Sequence, residues 1–122
     1  GDYYDFTVDT GYGEIEVKPG NITTGGHGGA VVRWLVPTRE KDSASNVDYF
    51  VVVCEKQGTR YIAGNCHGGG KNFKFIDFTN KDYVGDITYS VVPVMLSGVM
   101  GREYSIGKIR QIDRRTEFLR GS

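Results

Sequence analysis

The chain has 122 residues with 15 basic and 15 acidic side chains and a formal charge of zero. That length fits one domain, and the balance excludes a strongly basic nucleic-acid binder or a polyacidic tail. Two cysteines and two histidines exclude a dense disulfide framework, and no apolar run approaches the roughly 18 residues that a membrane helix requires.

The apolar residues are those of sheets: 14 valines and 8 isoleucines stand against 3 leucines and 3 alanines, with 8 tyrosines and 6 phenylalanines beside them. β-branched and aromatic side chains suit a pleated, half-buried surface and lose rotamer freedom in a helix. Tyr4, Phe6 and Val8 alternate with polar residues and predict an extra N-terminal strand or linker within residues 1–12. Ile15 and Val17 predict a second strand, ended by Pro19-Gly20, and a polar, glycine-rich loop is expected from Asn21 to Gly29. Ala30 to Val36 reads as a strand with Val32 and Trp34 on one face. After a charged loop, Val47 to Cys54 is apolar at both parities, the mark of a central strand or one covered on both sides. Gln57-Gly58 is a turn signal, Arg60 to Ala63 a short returning strand, and Gly64 to Lys71 a loop. Phe73, Phe75 and Asp77 share one face of the next strand. Ile87 to Leu96 is a long apolar strand containing Pro93, whose missing donor a local bulge can absorb. Tyr104 to Ile109 is the last strand. The charged, aperiodic tail from Asp113 to Ser122 is expected to be disordered; Glu117-Phe118 and Gly121-Ser122 are dipeptides that cloning sites often encode. The expectation is an all-β, antiparallel two-sheet sandwich of about seven or eight strands spanning residues 13–112.

The segment Val32-Arg33-Trp34-Leu35-Val36-Pro37 resembles strand B of fibronectin type III domains, where a core Trp is followed three residues later by Pro. Val47 to Val53 is similar to strand C of that family, with Tyr49, Val51 and Val53 inward. Ile87 to Val94 followed by Ser97-Gly98 is similar to strand F and its following turn, with Tyr89 as the tyrosine-corner residue. The resemblance covers about Gly13 to Arg110, and it implies an immunoglobulin-like sandwich with strands C and F adjacent in one sheet. It also implies an extracellular protein-recognition or adhesion module, secreted or part of the ectodomain of a larger protein.

Two cysteines in such a fold suggest a Cys54–Cys66 disulfide, worth about 3 kcal/mol on the loop-entropy model; two reduced thiols are the alternative. If Gln57-Gly58 is a tight turn, Cys54 pairs with Tyr61, and Cys66 lies about 16 Å further along the strand unless the chain reverses. His27, Cys54, Cys66 and His67 offer zinc ligands, but no C-x₂₋₄-C or H-x₃₋₅-H spacing joins them, so no metal is expected. The glycine clusters lack the strand–loop–helix context of phosphate loops, and neither G-x-S-x-G nor H-E-x-x-H is present. The chain therefore reads as a non-enzyme without a cofactor. Asn21-Ile22-Thr23 is an N-glycosylation sequon. If Tyr49 and Tyr89 face inward, then Phe50, Val52, Val92 and Val94 form an exposed apolar patch, the expected partner-binding face for another protein or a second copy. The competing reading is a carbohydrate-binding sandwich with an exposed aromatic platform, which the expected burial of Trp34 disfavours.

Overall fold

The computed structural model describes residues 15–37 and 46–112, so the expected N-terminal strand around Tyr4 to Val8 and the tail from Asp113 lie outside the described residues. Seven strands follow in chain order: β1 (Lys18–Thr24), β2 (Ala30–Leu35), β3 (Val47–Lys56), β4 (Thr59–His67), β5 (Asn72–Asp77), β6 (Gly85–Met95) and β7 (Tyr104–Gln111). They form two antiparallel sheets, a three-stranded one ordered β1-β2-β5 and a four-stranded one ordered β4-β3-β6-β7. This is the all-β sandwich that the composition anticipates.

Strong alternation places β2 and β5 as expected. Val32 and Trp34 are buried while Arg33 between them is not, and Phe73 and Asp77 are buried on β5. Charged neighbours make the two faces chemically different, so the phase of the pattern is unambiguous. Trp34 is 2% exposed, and its partners are Phe73, stacked at 5.7 Å, and Phe50, edge-on at 5.4 Å. Phe50 and Phe73 meet edge-on at 4.8 Å, so three aromatic rings from β2, β3 and β5 fill the space between the sheets.

Three boundaries differ from expectation. Ile15 and Val17 are buried but precede the strand; β1 runs through Pro19-Gly20 and takes in Asn21 to Thr24. Pro19 is tolerated because β1 is an edge, and the register shifts between Pro19 and Ile22. β4 extends four residues past Ala63, to His67. At Pro93 no bulge is needed. Its pairing with Phe50 on β3 is in register, its carbonyl accepts from Gly101 N–H at 2.8 Å, and ladder pairing with β7 has ended at Val91. On that side only the isolated bridge between Val94 and Met100 follows, and its hydrogen bonds use the Pro93 carbonyl and not the missing donor.

At one end of the sandwich, the buried Asp77 carboxylate collects four donors. Tyr89 O–H donates at 2.5 Å, Asn80 Nδ2 at 2.9 Å, Thr79 N–H at 2.8 Å and the Thr79 hydroxyl at 2.5 Å. Tyr89 thus bonds a side-chain carboxylate on β5, twelve residues upstream, and not the nearby backbone group that the expected tyrosine corner implies. Burial, and then its bond to Asp77, push the Tyr89 hydroxyl's pKa well above the usual tyrosine range. Gln111 Nε2 adds bonds to the Gly28 carbonyl at 3.0 Å and the Asn80 carbonyl at 3.4 Å, tying β7 to the β1–β2 connection.

Candidate functional site on the four-stranded sheet

The outer face of the four-stranded sheet is built by the parity that β3 leaves outside. Phe50, Val52 and Cys54 are 0%, 0% and 1% exposed and belong to the core, together with Tyr89 and Val91 of β6. Tyr49, Val51 and Val53 therefore face away from the core, paired across the sheet with Val94, Val92 and Ser90. This inverts the expected orientation of β3. A strand that is apolar at both parities carries no phase of its own; the ring of Phe50 settles it by completing the cluster with Trp34 and Phe73. The expected partner-binding patch is corrected accordingly. Phe50 and Val52 are core residues, and Val92 and Val94, although on the outer face, are 3% and 7% exposed. The four do not form an exposed face.

Lower on the same outer face lies a depression of ≈ 300 Å³. Val53 forms its apolar floor, with Glu55 beside it on β3 and Arg60 opposite on β4; Thr88 and Ser90 of β6, and Glu103 and Ser105 at β7, complete it. The tight Gln57-Gly58 turn, with φ of 51° and 79°, brings Arg60 back directly across from Glu55. Both turn residues need the left-handed region, which Gly58 reaches at no steric cost.

Arg60 does not close on its cross-strand neighbour. Its Nη2 reaches across the sheet to Glu103 Oε1 at 2.5 Å, and the Ser90 hydroxyl donates to Glu103 Oε2. Burial alone would raise the Glu103 pKa, but the hydrogen bonds from Arg60 and Ser90 outweigh it and hold the carboxyl below the ordinary glutamate range. The Glu55 carboxylate, half-buried at the rim, makes no ion pair or hydrogen bond among the described residues. Next to the depression, Ile62 projects from β4 with 72% of its surface exposed. A fixed ionic clasp, an uncommitted carboxylate, three hydroxyls and an adjacent apolar side chain thus share one surface, which can accept donors and bury an apolar contact at once.

The remaining expected residues fall elsewhere. Asn21 is exposed on the β1 edge, where its Oδ1 accepts from Arg33 Nη1 at 3.2 Å, a nitrogen that also reaches the Thr23 hydroxyl at 3.2 Å. Cys54 pairs with Tyr61 and Cys66 with Phe50, so the cysteines sit four rungs apart and both are free. The expected bridge is not formed because β4 continues straight through Gly64 instead of reversing there. Cys54 lies in the core against Asn80 Nδ2 at 3.6 Å, and Cys66 packs towards the Lys74 carbonyl. Burial raises both thiol pKa values. His27 sits in the short 3₁₀ turn Gly26–Gly28 and His67 ends β4; no group of three metal-ligating side chains converges among the described residues.

Sequence reasoning missed Arg60, Glu103, Ser90 and Ile62. Glu55 and Arg60 straddling the Gln57-Gly58 turn are readable as a cross-strand pair, but the reach to Glu103 depends on the order of strands and has no local signal. No family model, curated protein or solved structure matches the chain.

Proposed function

We propose that this domain is an extracellular protein-recognition module of the fibronectin type III kind, which binds its partner on the β4 side of the four-stranded sheet. The adjacency of β3 and β6 and the buried Trp34 support the family reading. The exposed sequon on the β1 edge supports the secretory one. The functional reading is carried by one observation: the uncommitted Glu55 carboxylate at a polar depression next to the exposed Ile62. Recognition surfaces combine an apolar anchor with charges that set the register of docking.

A carbohydrate-binding role is the second reading, favoured by the carboxylates and hydroxyls of the depression. Against it, none of the lining side chains is aromatic, so a sugar ring has no stacking platform there.

The test is a panel of purified extracellular proteins and a panel of glycans, probed with the wild-type domain and with Glu55→Lys. A protein bound by the wild type and lost at least tenfold by Glu55→Lys, at unchanged melting temperature, is the expected result. Binding to glycans alone overturns the proposal.

A further inference from the structure

Three pairs of charged side chains stand directly opposite each other in the ladders of the described residues. Glu55 faces Arg60 and Asp86 faces Arg110, each a pair of opposite sign. The third pair is Arg33 of β2 against Lys74 of β5, two cations in an arrangement that destabilises a sheet. Both lie on the outer face of the three-stranded sheet, since their neighbours Trp34 and Phe73 are buried.

Lys18 of β1 joins them, opposite Leu35 and so two residues along β2 from Arg33. None of the three cations is in an ion pair among the described residues. The one carboxylate in β1, β2 and β5 is Asp77, which is buried and bonded to Tyr89. Glu16, just before β1, is engaged in a contact of its own. A chain with equal numbers of acids and bases thus gives one sheet face cations alone. Arg33 lies along that face, its Nη1 held by two neutral acceptors, Asn21 Oδ1 and the Thr23 hydroxyl, both at 3.2 Å.

We infer that this face binds a sulfated glycosaminoglycan, a linear polyanion laid across the three strands so that its sulfates meet Lys18, Arg33 and Lys74. Like charges kept side by side cost stability, and a bound anion offsets that cost. Neighbouring strands are about 4.8 Å apart, so the cations are spread over roughly 10 Å, within reach of one short stretch of such a chain. Asn21, Thr23 and Asn72 are exposed beside them and supply hydrogen bonds for sugar hydroxyls. Arg33 lying along the sheet suits a chain resting on the surface better than a membrane into which side chains must project. The site rests on the extracellular part of the recognition reading, but it uses the opposite sheet from Glu55 and a different class of ligand.

Calorimetric titration with a size-defined heparin oligosaccharide tests the site, on the full chain prepared without an N-glycan because Asn21 stands beside Arg33. Binding is expected. On the single-strand slope of about 0.7 per neutralised charge, three contacts should weaken it about 20-fold for a fourfold rise in salt. Lys74→Glu should lower affinity at least tenfold while the melting temperature holds or rises, because the like-charge pair becomes an opposite one. Lys18→Glu, on the edge strand, should also lower affinity. Absence of binding overturns the inference, as does binding that both variants leave unchanged. So does binding of desulfated heparin, duplex DNA or phosphatidylserine vesicles as tight as that of heparin. Glu55→Lys lies on the other sheet and should leave heparin binding in place, so this proposal and the recognition one fail separately.

Discussion

Replacing Phe50 by alanine tests the orientation of β3, on which the placement of the outer face depends. Phe50 is fully buried, and its ring touches those of Trp34 and Phe73 at centroid distances of 5.4 and 4.8 Å. Truncation removes a benzyl-sized volume from between two sheets whose backbones are held by their ladders, so the cavity collapses only in part. Phe→Ala at such a site costs roughly 3–5 kcal/mol. At roughly 4 °C per kcal/mol for a domain of about this size, the melting temperature should fall by about 12–20 °C. Val51→Ala is the matched control, one residue along and half-buried on the opposite face. It loses two carbons' worth of partial burial, about 1 kcal/mol at about 0.8 kcal/mol per fully buried carbon. Both variants are read by thermal and urea unfolding followed by circular dichroism, with an unchanged urea slope confirming that the denatured state is not altered. A Phe50→Ala protein melting within a few degrees of wild type, while Val51→Ala loses the larger amount, would refute the orientation and with it the outer face.

Other consequences follow from single contacts. The Glu103 carboxyl is held below its ordinary range in the folded state, so the unfolded chain binds more protons and stability rises with pH across that interval. The contribution of the Arg60–Glu103–Ser90 clasp is full above the ordinary glutamate pKa of about 4.3 and is lost as pH falls through the folded-state value; Glu103→Gln should flatten acid unfolding there, and an unchanged profile would show the clasp to be idle. Both cysteines should be alkylated once the chain is unfolded without reductant, with Cys66 reacting before the core residue Cys54 under native conditions; a product mass that changes on reduction would reveal a bridge instead. Gly68→Ala puts a methyl 2.4 Å from the Val47 carbonyl oxygen, a backbone atom that cannot swing away, so a loss of roughly 1–3 kcal/mol is expected in urea unfolding. A Gly68→Ala protein as stable as wild type would show that the β4–β5 connection gives way.

The sequence alone determined that this is a β-sandwich, where five of its strands lie, the Gln57-Gly58 turn and the burial of Trp34. Those are local matters: β-branched content sets the class, a glycine after a chain reversal sets the turn, and Arg33 or Lys74 between apolar neighbours labels one face as wet. β1 was misplaced because Pro19-Gly20 reads as a stop, and only the position of β1 at a sheet edge makes that proline harmless. Tertiary structure alone decided which way β3 faces. Val47 to Cys54 is equally apolar at both parities, and a period of two has a phase only when its two faces differ. A one-residue shift of phase moved Phe50 and Val52 from an expected binding patch into the core, and it turned Val53 and Glu55 to the outer face where Arg60 and Glu103 meet. Those two residues are 43 positions apart in the chain, and they meet because β3 and β6 pair between β4 and β7. Strand order comes from the summed packing of every strand, so no short window of the sequence contains it.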